Sequence, residues 1–295
     1  MTIQNATKQL TRQLQVIYDE REAGNIARWV MENLTGLAKS ERVIHKEENL
    51  SLLQEQDLEK MTGRLLNHEP VQYVLNEAWF YGCKLYVDQN VLIPRPETEE
   101  LVGWLLQSVQ SSEFRVQSQL PNKRNFKILD VGTGSGCIPI AIRKNLSMQF
   151  EVWACDIKDQ VLTVARKNAD DHHALIDFVA MDFLDKAQRK QLPHVDIIIS
   201  NPPYVPLYDK NEMNPNVVKY EPGAALFVQD NDPLIFYDAI AEFGKERLFK
   251  RGTIFVEIHE TMGETVTGLF RSKGYSSIEL KIDMQGKDRM VKVGL

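Results

Sequence analysis

No stretch of this chain runs apolar for the ~18 residues that a membrane-crossing helix needs. Its first 30 residues lack the short apolar core of a secretory leader. The expectation is a cytoplasmic protein with no membrane partner. Cysteine is scarce: Cys83, Cys137 and Cys155 are the whole complement, with neither paired spacing nor histidine companions. That argues against a disulfide framework and against a thiolate metal site, so no metal is expected. Basic charge is short as well. Thirty-five Lys+Arg face 41 Asp+Glu, a net charge of -6, whereas proteins that grip phosphate backbones carry a basic footprint. Residues 1–90 hold 10 Lys+Arg against 13 Asp+Glu, so averaging hides no basic module, and no direct nucleic-acid contact is expected.

What the chain does have is ordinary globular material, 43% hydrophobic and 26% charged over 295 residues, enough for one large domain and one small. Residues 1–72 read as a helical domain. Leu10, Leu14 and Ile17 recur at helical spacing, as do Ile26, Val30 and Leu34, and Gln54 to Leu66 adds another helix. It carries no catalytic constellation, since His45 and His68 are isolated, and docking of a partner is the role such a module suggests. From residue 71 aromatic and β-branched residues suggest short strands. Trp79-Phe80-Tyr81 and Lys84-Leu85-Tyr86-Val87 flank Gly82-Cys83, which reads as a β-hairpin linker over 73–93. Pro94 to Glu100 opens a third region, 94–295, with Pro96 and three carboxylates suited to a helix start. Ser111 to Asn125 is a polar loop. Beyond it strand and helix alternate to the end, where two strands close around Gly286. The predicted fold is α/β: a doubly wound, mostly parallel seven-stranded sheet, Rossmann-like, preceded by the small helical domain.

Two stretches carry chemistry. Asp130-Val131-Gly132-Thr133-Gly134-Ser135-Gly136 follows a strand and opens a helix, and Asp156 ends the next strand 20 residues after Gly136. Glycines permit a tight turn and close backbone approach, and the acid can accept from ribose hydroxyls. The turn is Gly-x-Gly-x-Gly rather than Gly-x-Gly-x-x-Gly, which looks like a site for S-adenosylmethionine rather than a dinucleotide. Gly132, Thr133, Gly134, Ser135, Gly136 and Asp156 are the candidate cofactor residues, with Asp182 for the adenine amino group and Phe183 to stack on the ring. The second stretch is Asn201-Pro202-Pro203-Tyr204, after the apolar run Val195 to Ile199. Neither proline can donate to a ladder, so the strand must end there. An amide side chain, carbonyls and an aromatic ring at one rigid point suit a planar NH2 group. A Pro-Pro turn with asparagine as a local cap accounts equally well for these residues taken alone.

Together the two stretches resemble the class I S-adenosylmethionine-dependent methyltransferases. Glu69-Pro70-Val71-Gln72-Tyr73, Trp79-Phe80-Tyr81-Gly82, Ile93-Pro94-Arg95-Pro96-Glu97-Thr98-Glu99, Tyr220-Glu221-Pro222 and Gly286-Lys287-Asp288-Arg289 are similar to the release factor glutamine methyltransferase family, across essentially the whole chain. The resemblance implies methyl transfer to N5 of the glutamine in the Gly-Gly-Gln loop of class 1 peptide chain release factors, with the helical domain contacting that partner. Asn201, Pro202 and Tyr204 are then the candidate catalytic residues: Asn201 Oδ1 and the Pro202 carbonyl accept the amide hydrogens, and Tyr204 walls the pocket. Asn201 to Tyr204 would bind substrate, and Asn201 would also touch the cofactor. No residue is placed as a base. The chain departs from the family pattern at Phe183, where tryptophan is common, and over Phe227 to Asp232. A monomer is expected. A ribosomal protein L3 glutamine, or a nucleic-acid base amine, remains open as the alternative substrate.

Overall fold

A computed structural model describes residues 1–110, 125–147 and 149–295; of the polar loop expected over 111–125, all but Asn125 lies outside the described residues. The chain divides into two units, Met1–Glu77 with Asn214–Tyr220, and Ala78–Met213 with Glu221–Leu295.

The first unit is helical. Helix α1 (Ile3–Leu14) buries Ile3, Ala6, Leu10 and Leu14, one stripe at the spacing of a helix face. Helix α2 (Glu20–Thr35) starts on Asp19, whose carboxylate accepts from the Glu22 amide, and stops at Gly36 in the left-handed conformation. After α3 (Lys39–Ile44), helix α4 (Leu52–Leu66) opens with a capping box between Ser51 and Gln54. The sequence suggested short strands from residue 71, but Val71–Leu75 is a fifth helix, α5. Pro70 supplies its N-cap, and Asn76 at φ 52° ends it. Helix α9 (Pro215–Tyr220) belongs here although it lies far along the chain. Its Tyr220 hydroxyl donates to the Asn67 carbonyl at 2.7 Å.

The second unit is built on a seven-stranded sheet. It is preceded by the hairpin β1 (Ala78–Phe80) and β2 (Cys83–Leu85), turned by Tyr81 and Gly82 at φ 48° and 75°, the positive pair of a type I′ two-residue loop. Helix α6 (Pro96–Gln110) follows, and its Glu99 carboxylate accepts from the Tyr81 amide at 2.7 Å. The sheet comprises β3 (Phe126–Val131), β4 (Phe150–Asp156), β5 (Asp177–Ala180), β6 (Val195–Ser200), β9 (Leu248–Glu257), β10 (Ser277–Ile282) and β11 (Asp288–Gly294), in the order β10-β11-β9-β6-β3-β4-β5. Strands β3, β4, β5, β6 and β9 run parallel, and the closing hairpin β10–β11 pairs antiparallel. The two-residue strands β7 (Val205–Pro206) and β8 (Phe227–Val228) form a separate parallel pair. Helices α7 (Cys137–Asn145), α8 (Asp159–Asp171), α11 (Ile235–Arg247) and α12 (Gly263–Ser272), with the short α10 (Gly223–Leu226), complete the unit.

Strand β6 is buried at every position and β3 nearly so, which is why their centres, Ile197 to Ile199 and Ile128 to Leu129, are apolar without alternation, although Asp196 and Asp130 are buried beside them. Alternate side chains of β3, β6 and β9 feed two cores. Ile128, Ile197, Ile199 and Phe255 pack with α6 and α7, while Leu129, Val131, Ile198 and Val256 pack with α11 and α12. The chain winds β3 to β4 to β5 in one direction and then returns to place β6 on the other side of β3. That reversal is the point where an open α/β sheet leaves a crevice at its carboxyl edge.

Candidate active site

The glycine turn after β3 and the Asn-Pro-Pro-Tyr stretch after β6 leave neighbouring strands at this reversal. Ser200 Oγ donates to the Val131 carbonyl at 2.7 Å and ties the two strand ends together. Between them and the end of β4 lies a cleft of about 370 Å³, lined by Gly132, Gly134, Asp156, Asp182, Phe183, Asn201, Pro202 and Pro203 among others. Its size falls within the roughly 300–1,000 Å³ of small-molecule sites. Asn90, Val91 and Leu92 form part of one wall, and Pro222, Ala224, Ala225 and Phe227 part of another. These walls are clamped: Arg95 Nη2 donates to Glu221 Oε1 at 2.5 Å, and the Ile93 amide donates to Glu221 Oε2 at 3.2 Å.

The glycines differ in what they do. Gly132 and Gly134 have φ of +75° and +54°, and a Cβ on either would enter open space, so the turn presents bare backbone to the cleft. Gly136, at φ +81°, would place a Cβ 3.3 Å from the backbone of Ala165. Its freedom serves the packing of α7 against α8, not the cleft. Thr133 and Ser135 are buried and do not line the cleft. The Ser135 carbonyl accepts from Asn168 Nδ2 at 2.9 Å, and the same side chain binds both the amide and the carbonyl of Tyr86. Asn168 thus staples the turn to the exit of the hairpin.

Asp156 Oδ2 accepts from the Gly134 amide at 3.0 Å and Oδ1 from the Ile157 amide at 2.8 Å. Burial raises its pKa, against the pull of these backbone donors. A carboxylate oxygen can accept more than one hydrogen bond, so Asp156, which lines the cleft, keeps acceptor capacity beyond these two contacts. Asp182 also lines it, while Oδ1 accepts from the Leu184 amide at 2.9 Å. Phe183 touches the cleft but spends its ring elsewhere: it packs edge-on to Phe243 at 5.4 Å and under the Arg189 guanidinium at 5.5 Å. Ile157, 56% exposed, is the apolar side chain held open at the cleft. The bare glycine turn, the strand-end acid and this apolar lining fit an adenosyl cofactor.

Asn201 lines the cleft and donates through Nδ2 to Thr98 Oγ1 at 2.9 Å. Thr98 in turn donates to Glu257 Oε2 at 2.6 Å, and Tyr204 donates its phenol to Glu257 Oε1 at 3.0 Å. Tyr204 does not line the cleft; its ring stands 6.1 Å from that of His259. Burial and the adjacent carboxylate hold the Tyr204 phenol protonated. Glu257 is 1% exposed, and burial pushes it up to about 7. Sequence reasoning missed Thr98 and Glu257. The signal for Glu257 was a carboxylate ending the apolar run Ile254-Phe255-Val256, and Thr98 lay unremarked inside the Pro-Glu-Thr-Glu motif. Among the described residues no group of three or more His, Cys, Asp or Glu could hold a metal ion, and no helix is long and apolar enough to cross a membrane.

Residues 110–219 match the Methyltransferase small domain and residues 5–75 the PrmC N-terminal domain. The release factor glutamine methyltransferase of Flavobacterium psychrophilum is 38% identical over 99% of both chains, and that of Bacteroides thetaiotaomicron 36% identical over 97% of both. The solved hMettl16 catalytic domain, in complex with the MAT2A 3'UTR hairpin 6, superposes with a TM-score of 0.52 over 83% of this chain and 82% of its own, at 16% identity. That likeness speaks for the methyltransferase fold alone. The near-full-length matches decide the family: this chain is a release factor glutamine methyltransferase family member.

Proposed function

We propose that the protein transfers a methyl group from S-adenosylmethionine to the side-chain nitrogen of the glutamine in the Gly-Gly-Gln loop of class 1 peptide chain release factors, in the cytoplasm. The observation that carries this reading is the shared cleft. Bare backbone at Gly132 and Gly134, the acid Asp156, and the Asn201-Pro202-Pro203 stretch all line one space. The cofactor supplies an electrophilic methyl on a sulfonium. Gly132, Gly134, Asp156 and Asp182 would hold it, with Ile157 and Phe183 supplying apolar lining.

An amide nitrogen is a weak nucleophile because its lone pair is delocalised into the carbonyl, so geometry matters more than a strong base. Asn201 Oδ1 and the Pro202 carbonyl accept the two amide hydrogens and aim the nitrogen. Such positioning is worth up to ~7–11 kcal/mol. The same acceptors stabilise the positive charge that develops on nitrogen. Tyr204 backs this stretch through its bond to Glu257. The helical unit, which holds none of the cleft residues, is the docking module for the release factor.

The test is incubation with methyl-labelled S-adenosylmethionine and a class 1 release factor. The expected result is label on the release factor, absent when its Gly-Gly-Gln glutamine is replaced. No label, or label that survives the replacement, overturns the reading.

A further inference from the structure

A carboxamide has an accepting end and a donating end, and only the accepting end suits a substrate NH2 group. The hydrogen bonds behind Asn201 decide which end the cleft meets. Thr98 Oγ1 lies 2.9 Å from Asn201 Nδ2 and 2.6 Å from Glu257 Oε2. A threonine hydroxyl carries one proton, and a carboxylate can only accept, so that proton points to Glu257. Toward its other neighbour Thr98 must accept. The neighbour is therefore the NH2 end of Asn201, and Oδ1 is turned away from Thr98. The second oxygen of the same carboxylate accepts from Tyr204 at 3.0 Å. One buried acid thus orients both functional side chains of the Asn-Pro-Pro-Tyr stretch.

We propose that Glu257 and Thr98 are positioning residues that set the polarity of the site, holding the Asn201 oxygen toward the cleft so that it takes a nitrogen bearing hydrogens. This rests on the function proposed above. Protonation of Glu257 reverses the chain. A protonated carboxyl donates to Thr98, Thr98 turns its own proton to Asn201, and the carboxamide swings its oxygen inward, leaving an NH2 group facing the cleft. The titratable and charged groups around Glu257 are Glu97 from α6, Tyr204, Tyr237 from α11, Cys137 from α7 and Arg289 from β11. Among them, Arg289 favours the carboxylate and Glu97 opposes it. With the carboxyl pushed up to about 7 by burial, the reversal falls inside an ordinary assay range.

Thr98→Val removes the hydroxyl at nearly constant volume, and Thr98→Ser keeps it. Thr98→Val is expected to lower kcat on the release factor by about 10–100-fold, the range known for groups that orient metal ligands. S-adenosylhomocysteine affinity and KM should stay near wild type, and Thr98→Ser should keep most of the rate. The wild-type kcat should fall as pH drops through about 7, and this limb should vanish in Glu257→Gln. A second readout needs no activity: in 15N-labelled protein, an Asn201 side-chain amide proton should be protected from exchange at pH 8 and lose that protection in Thr98→Val. Wild-type rates in Thr98→Val, equal loss in Thr98→Val and Thr98→Ser, or a pH limb surviving in Glu257→Gln would overturn the proposal. Absence of any label on the release factor with wild-type enzyme would instead sink the function, and the Asn201 exchange measurement would still decide the polarity chain.

Discussion

Glu257→Gln should make the protein more stable and less active, and the gain should depend on pH. Glu257 is 1% exposed, and burial raises its carboxyl from 4.5 to about 7. The folded state therefore binds this proton more tightly than the unfolded chain does. The carboxyl's contribution to stability is fully present below about 4.5 and is lost as pH rises through about 7. At 1.36 kcal/mol per pH unit, the loss is about 3 kcal/mol by pH 8. Glutamine carries no charge to bury. However, its NH2 end cannot accept, so one of the bonds from Thr98 and Tyr204 must be broken or reversed, at about 1 kcal/mol. The net expectation is about 2 kcal/mol in favour of glutamine at pH 8, and a small disadvantage near pH 4.5, where the native acid is already neutral. With a urea m-value of ~2 kcal/mol/M, the midpoint rises by about 1 M at pH 8. Tryptophan fluorescence suits the measurement, because Trp79, Trp104 and Trp153 all lie in the sheet-containing unit. A midpoint difference that is the same at both pH values would refute the reasoning. Such a result would mean that the carboxylate is not desolvated as its burial implies. Methyl transfer should fall in the same variant at pH 8, a stability gained by undoing a functional device.

Other expectations follow from the same contacts. Asn201→Ala should reduce methyl transfer by about 10²–10³-fold, the scale of losing one preorganised hydrogen-bonding group at a reacting centre, while calorimetry with S-adenosylhomocysteine shows little change. Parallel loss of binding would move Asn201 from substrate to cofactor. Asp156→Ala should do the reverse, weakening cofactor binding by roughly 10–100-fold through loss of hydrogen bonds to a charged acceptor, and the ligand-free Tm should fall as well because the Gly134 and Ile157 amides lose their acceptor. For the clamp across the cleft walls, Arg95→Ala should lower Tm more than Glu221→Ala. The Glu221 side chain is 1% exposed and that of Arg95 31%, so deleting arginine strands a buried charge, at ~3–5 kcal/mol, whereas deleting glutamate leaves a cation that still reaches water. Equal losses would show that solvent reaches Glu221 too.

The order of elements was legible in the residues because the physics is local. Ile197 to Ile199 are apolar and β-branched since both faces of β6 are covered, and Gly132 and Gly134 announce a turn at positive φ, which glycine adopts without strain. What the residues could not show is which distant groups meet. Helix α9 (residues 215–220) sits in the catalytic half of the sequence yet packs with the helical unit, and nothing in its composition says so. The stacking expected of Phe183 was reasonable for an aromatic at a strand end, but Phe243, from α11 far along the chain, packs edge-on to the ring, and Arg189, from the turn just after it, lies over it. The Asn201–Thr98–Glu257 chain joins residues 103 and 159 positions apart. It becomes visible only when β9 is laid beside β6, which brings Glu257 level with the residue after Ser200.

That register also explains why an acid ends β9 at all. A buried carboxylate at this depth opposes folding at neutral pH, and an apolar residue would suit the strand better. The acid is intelligible as the one side chain that can only accept. Any neutral donor–acceptor behind Thr98 would leave the hydroxyl two choices of direction, and Asn201 two orientations of nearly equal energy. A carboxylate leaves one. On the polarity proposed above, a group outside the cleft governs which nitrogen the cleft takes, and the burial that pushes its carboxyl up to about 7 confines that polarity to higher pH.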